Sequence, residues 1–139
     1  MPYPELMVAP MREELVQLGV QELKTPQEVN DFLADTSGTA MIVINSVCGC
    51  AAGAARPAVA LALQHSVKPD RLATVFAGQD VEATQAVREA FPEAPPSSPS
   101  IMIIKDGKLA DYVPRHRIEG RDAQAIAGDL TEVFESVTA

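Results

Sequence analysis

The sequence predicts an α/β fold, a central mixed sheet of four strands flanked by helices and preceded by an N-terminal helical extension. Three observations carry this. Two continuous apolar runs, Ala40 to Asn45 and Ile101 to Ile104, have the composition of strands covered on both faces, as the middle strands of a parallel sheet are. The first is followed by an alanine-rich helical stretch and then by a second strand-like run, Arg71 to Phe76, giving the alternation of an α/β sheet. Asp106-Gly107, between Ile101–Ile104 and Leu109–Val113, is a two-residue hairpin signal that adds an antiparallel strand.

The elements follow in order. Pro4 to Leu18 and Thr25 to Leu33 read as two helices; the second has Thr25 as N-cap, Pro26 at the first helical position and Glu28 three residues after the cap, the arrangement that satisfies the unpaired first N–H groups of a helix. Gly38 breaks the chain before the Ala40 to Asn45 strand. A helix then runs from about Cys48 to His65, and Pro57 inside it predicts a kink, because proline supplies no N–H to the helical ladder. After the Arg71 to Phe76 strand, Asp80 is placed to cap a helix reaching about Phe91. The linker Pro92-Glu-Ala-Pro-Pro-Ser-Ser-Pro99 leads straight into the Ile101 strand, and Asp122 caps a last helix to about Val137. Ile126, Leu130, Val133, Phe134 and Val137 recur there at core-face spacing. With no internal repeat or break, residues 1–139 read as a single domain, long enough to bury about two-thirds of the surface its unfolded chain exposes.

Composition narrows the function. Apolar residues make up 47% and charged residues 22%, as in ordinary soluble proteins, and no run of about 18 apolar residues is available to span a bilayer. The opening Met-Pro-Tyr-Pro-Glu-Leu has neither the basic nor the apolar region of a secretory signal, so a cytoplasmic location is expected. A net charge of −8 argues against nucleic acid, whose phosphates need a dense basic face. The charge is uneven: Lys105, Lys108, Arg115, Arg117 and Arg121 gather in one segment with only Asp106, Asp111 and Glu119 among them.

Both cysteines of the chain lie in Asn45-Ser-Val-Cys-Gly-Cys-Ala-Ala-Gly-Ala-Ala-Arg-Pro57, where strand gives way to helix. A helix start offers free N–H groups and a positive dipole end, which stabilise a thiolate and depress a cysteine pKa from about 8.5. Cys48 is therefore the expected nucleophile, and Cys50 is near enough to attack a mixed disulfide formed on it. Reducing thiol pools make a close pair in the cytosol catalytic or sensing rather than a staple. Two cysteines buried as small apolar fillers are the plain alternative. Structural zinc is disfavoured, since it wants four ligands and His65 and His116 are far along the chain with no second cysteine pair.

The order of elements with a cysteine pair at the first strand's end resembles the thioredoxin fold, and Ser98-Pro99-Ser100, Pro57 and Gly120 stand about where that fold has a cis-proline loop, a helix proline and a glycine near the redox site. More narrowly, Ser46 to Pro57, Phe76-Ala-Gly-Gln-Asp80, Ala94 to Ser100 and Pro114-Arg-His-Arg-Ile-Glu-Gly120 resemble the bacilliredoxins over nearly the whole chain. That resemblance implies a thiol–disulfide oxidoreductase that removes bacillithiol from client cysteines, with bacillithiol as thiol co-substrate, no bound cofactor or metal, and bacillithiolated proteins as partners. Cys48 would attack, and Cys50 or free bacillithiol would resolve. Gly49 would allow the tight Cys-Gly-Cys ring, which is strained and so easily reduced. Pro99, with Ser98, would present an extended edge to the substrate. The resemblance leaves the proton acceptor for Cys50 open, because no acid lies inside the first strand, and the two cysteines allow no route through a third. In this topology the last strand ends at the edge of Cys48, making Arg115, His116 and Arg117 candidates for a positive field that lowers its pKa and attracts the malate carboxylates of bacillithiol; a solvated loop is the alternative. Gln79 and Asp80 reach the same edge, and Arg56 is expected to lie along the surface. Two other functions stay open: a non-catalytic redox sensor or adaptor switched by Cys48–Cys50, and a weak disulfide isomerase.

Overall fold

A computed structural model describes residues 2–138. The elements run α1 (Glu5–Val16), β1 (Gln21–Glu22), α2 (Pro26–Ala34), β2 (Thr39–Asn45), a π-helical turn (Ala51–Ala55) continuing as α3 (Arg56–Ala62), β3 (Arg71–Phe76), α4 (Val81–Ala90), β4 (Ser100–Lys105), β5 (Lys108–Val113), a 3-10 turn (Arg115–Arg117) and α5 (Ala123–Thr138). The strands form a mixed sheet in the order β1-β3-β2-β4-β5. β1 and β2 both pair parallel with β3, while β4 is antiparallel to β2 and to β5.

The expected four strands are thus joined by a fifth, β1, on the outer edge of β3. It is two polar residues long, Gln21-Glu22, too short to show an alternating pattern. Every residue of the central strand β2 is buried, because helices cover both sheet faces and alternate side chains point to opposite sides. Met41 and Val43 face α3 and α5, meeting Ala58, Val59, Leu130 and Phe134. Ile42 and Ile44 face α2 and α4, meeting Val29, Phe32 and Val87. The buried row of Ala51, Ala55, Ala58 and Ala62 gives the helix bearing the cysteines little side-chain bulk on its sheet-facing side.

Local signals hold at three boundaries. The Thr25 hydroxyl accepts from the Glu28 N–H at 3.2 Å, and the Glu28 carboxylate accepts from the Lys24 N–H at 2.9 Å. Asp106 and Gly107 both have positive φ, 50° and 81°, as the favoured two-residue hairpin turn requires. Asp122 caps α5 by accepting from the Ala125 N–H at 2.8 Å. Two expectations change. The irregularity predicted at Pro57 takes the form of the π turn just before it, which runs on into α3 around Pro57. Asp80 stands at the α4 N-cap position, yet its side chain makes no capping bond; Arg12 has taken it.

Arg12 belongs to the buried face of α1, in helical step with Val8 and Leu15. Its guanidinium reaches Glu5 at 2.7 Å, Glu22 at 2.9 Å and Asp80 at 2.6 Å, and stands 5.4 Å from the Phe76 ring centroid. One cation therefore ties the helical extension to the end of β1 and the start of α4. Gln79 serves the same join, accepting from the Tyr3 N–H and donating to the Tyr3 carbonyl at 2.7 and 3.0 Å.

Candidate active site

At Asn45 the apolar run ends and the backbone must turn from strand to helix, a reversal that side-chain hydrogen bonds to the main chain can direct. Asn45 Nδ2 donates to the Met11 carbonyl at 3.1 Å, and its Oδ1 accepts from the Ser46 N–H at 2.9 Å. The Ser46 hydroxyl oxygen accepts from the Cys48 N–H at 3.2 Å. Helical backbone begins at Gly49, and the Cys48 carbonyl accepts from the N–H groups of Ala51 and Ala52 at 3.0 and 3.3 Å. Cys48 therefore sits at the positive end of the helix, as expected. Both thiols are free and half-buried, with their sulfurs 2.7 Å apart.

Their protonation is pushed in opposite directions. Burial raises the Cys48 pKa, but the Cys50 thiol, the Ala51 N–H, the Ser46 hydroxyl and the Cys50 N–H together outweigh it and bring the thiol below its ordinary value. Burial also raises Cys50, and the hydrogen bond and charge of Cys48 raise it further, against a smaller lowering by Arg115. The pair is thus biased so that Cys48 gives up its proton more readily than Cys50, the polarity that dithiol exchange needs.

The basic segment contributes unequally. Arg115 holds its proton more tightly than usual, first through Glu119, 2.9 Å away, and then through the charges of Cys50 and Cys48. Its backbone N–H donates to Ser97 Oγ at 2.7 Å, joining the turn after β5 to the proline loop before β4. Arg117 is directed along β5, donating to the Tyr112 carbonyl at 2.9 Å and lying 3.7 Å from Asp111. His116 is exposed. Arg115 is also the cation whose charge lowers the Cys50 pKa.

The Ser98–Pro99 peptide bond is cis, Pro99 is buried and Ser98 half-buried, and the next residue, Ser100, pairs with Ile44. The proline loop therefore reaches the end of β2 that leads to Cys48. Far from being loose, it is held by Tyr112 Oη on the Pro95 carbonyl at 2.6 Å and by Ser100 Oγ on the Ser97 carbonyl at 2.8 Å. Gly49 has no positive φ, and a Cβ there would meet nothing within 4 Å, so the dithiol form itself makes no demand for glycine. His65 pairs with Glu135 at 3.3 Å, and Gln79 and Asp80 are engaged by the N-terminal segment.

Arg56 overturns its surface placement. It is 3% exposed, and its Nη1 donates to Asn45 Oδ1 and to the Ser46 carbonyl, both at 2.9 Å, while its Nε lies 3.1 Å from Glu14. Arginine is rarely buried unless paired, hence the expectation. The available signal was its isolation, because Arg56 is the single charged residue between Cys48 and Leu63.

Solved structures share this architecture. A thioredoxin from Fasciola hepatica aligns with a TM-score of 0.59 at 20% identity, covering 85% of this chain and 99% of its own. A mutant thioredoxin from Halobacterium salinarum gives 0.55 at 18% identity, covering 86% and 90%. The fold is that of thioredoxin; the cysteine pair at its strand-to-helix junction, together with the family and the relatives that follow, makes the chain a thiol–disulfide oxidoreductase. The sequence family described as disulphide isomerase matches residues 3–138. A bacilliredoxin of Salinibacter ruber is 56% identical over 98% of this chain and 81% of its own length, and one of Cytophaga hutchinsonii is 53% identical over 97% and 99%. A third, from Shouchella clausii, is 52% identical over 95% and 91%. The chain belongs to the bacilliredoxin family.

Proposed function

We propose that this oxidoreductase removes bacillithiol from mixed disulfides on client proteins. The observation that carries the reading is the opposed pair, a Cys48 whose pKa is lowered beside a Cys50 whose pKa is raised, with the two sulfurs 2.7 Å apart. The Cys48 thiolate attacks the bacillithiol sulfur of the client disulfide; that S–S bond breaks, and the client leaves as thiolate and takes a proton from solvent. The resulting Cys48–bacillithiol disulfide is cleared in one of two ways. Attack by Cys50, after losing its proton, releases bacillithiol and leaves a Cys48–Cys50 disulfide, which an external dithiol or two thiols must reduce. Attack by free bacillithiol releases bacillithiol disulfide and restores the dithiol. Arg115 is the anchor for the malate carboxylates, with His116, Ser98 and Pro99 bordering the approach and Gly49 permitting ring closure. No bound cofactor or metal takes part, and the reaction belongs in the cytoplasm, where a thiol pool supplies the reductant; among the described residues no helix is long and apolar enough to cross a membrane.

The test is intact mass spectrometry of the reduced protein mixed with a bacillithiol-capped client, for wild type and Cys50→Ser. Transfer of one bacillithiol mass to Cys48, trapped in Cys50→Ser and accompanied by client thiol, supports the reading. No transfer, while oxidants still close Cys48–Cys50, points to a redox sensor or adaptor. The family description favours a second reading, disulfide isomerisation, which recovery of a scrambled-disulfide substrate would reveal.

A further inference from the structure

Burying a guanidinium is an expensive way to fill space, and an apolar residue between alanine-rich turns would serve packing as well or better. Arg56 is nevertheless buried, and its contacts converge on one place. Nη1 grips the Asn45 side chain and the Ser46 carbonyl at once, so it fixes the two residues through which β2 passes into the cysteine loop. Asn45 Oδ1 also takes the Ser46 N–H. Ser46 is thereby held on both of its backbone polar groups, with the Glu14 carboxylate beside the arginine Nε and the Met11 carbonyl on the asparagine anchoring the assembly to α1. What this rigid residue presents is a hydroxyl whose oxygen already accepts from the Cys48 N–H. The hydroxyl proton is left to donate, and a serine O–H rotates to suit its acceptor.

We infer that Ser46 is a further catalytic residue, its hydroxyl donating to the Cys48 thiolate, and that Arg56 is the positioning residue that holds Ser46 in place for it. A hydroxyl oriented beforehand stabilises the thiolate without having to reorganise when charge forms there. The lowering of Cys48 by the Ser46 hydroxyl accords with this. The inference rests on Cys48 being the attacking thiol and is independent of which client or small thiol is used.

The experiment is the rate of iodoacetamide alkylation of the reduced full chain against pH, with the modified cysteine located by peptide mass, for wild type, Ser46→Ala, Ser46→Thr and Arg56→Lys. Ser46→Ala should move the Cys48 midpoint up by about one pH unit and slow alkylation about tenfold below it, while Ser46→Thr, which keeps a hydroxyl, stays near wild type. Arg56→Lys keeps the charge but loses the planar fork, and should move the midpoint the same way by a smaller amount. A Ser46→Ala profile that superimposes on wild type overturns the inference, whatever Arg56→Lys does; a folded Arg56→Lys with an unmoved midpoint overturns the arginine's part. If Cys50 is alkylated first in wild type, it is the assignment of the nucleophile under the proposed function that fails, and the two failures are told apart by the mapped residue.

Discussion

At the residue scale, the dithiol is a donor and an acceptor assigned by environment. Cys50 keeps its proton because burial and the neighbouring Cys48 charge both disfavour its thiolate, and that retained proton helps stabilise Cys48. Removing the donor therefore acts on the nucleophile: Cys50→Ala should shift the Cys48 alkylation midpoint upward, toward the ordinary thiol value of about 8.5, whereas Cys50→Ser keeps a hydroxyl donor and shifts it less. The sign follows from the lowered pKa, since less stabilisation of the thiolate means a higher pH is needed to form it. Equal midpoints for the alanine variant and wild type would break the link between the two sulfurs. The placement of Cys48 and Cys50 at a helix start was legible in the sequence, because local pattern reveals where strand gives way to helix. Arg56 and Ser46 were not, because what they do depends on a buried meeting of β2, α1 and α3. Asp80 shows the same limit: its N-cap position was readable, but the competing cation lies 68 residues away on α1.

At the element scale, α1 is attached to the rest of the fold by the Arg12 network as well as by apolar packing. Its buried face holds Val8, Arg12 and Leu15, while Leu6 is 92% exposed. Arg12→Ala would leave Asp80 and Glu22, both half-buried, without their cation and would open the space over Phe76. Losing one side of a buried ionic network typically costs about 3 kcal/mol or more, so the urea midpoint should drop substantially. Glu5 is more than half exposed, and Glu5→Gln should move the urea midpoint only slightly, as solvent screens an exposed pair. Near-equal urea midpoints for Arg12→Ala and Glu5→Gln would show that the Arg12 network does not hold α1 in place. Hairpin, caps and buried strands were readable because Asp-Gly, Thr-Pro-x-Glu and unbroken apolar runs each encode a local geometry. β1 escaped because pairing with β3, not its own sequence, makes Gln21-Glu22 a strand, and Pro57 marked where the helix would be disturbed without saying that a π turn would absorb it.

At the scale of the whole molecule, the topology sets a small positive site against an acidic body. β4 runs against β2 and β5 returns alongside it, so β5 delivers Arg115 to the edge where β2 delivers Cys48, an arrangement readable from the strand order once the hairpin was recognised. The chain as a whole carries −8 and repels an anionic thiol such as bacillithiol; that repulsion is long-ranged and weakens as salt shortens the screening length, about 8 Å at physiological ionic strength and about 3 Å at 1 M. The rate at which bacillithiol clears the Cys48 mixed disulfide should therefore rise with salt in any variant. Arg115→Ala should be slower than wild type by about two- to fivefold at low salt, the range of an exposed charge contact, and the gap should close as salt rises, because what was lost is a charge. Arg117→Ala, whose guanidinium is already committed to Asp111 and the Tyr112 carbonyl, should follow wild type at every salt concentration. Initial rates in a series of sodium chloride concentrations measure all three. A deficit in Arg115→Ala that stays constant across the series would mean that the residue acts through the shape of the turn it shares with Ser97, and the carboxylate-binding role would fall with it.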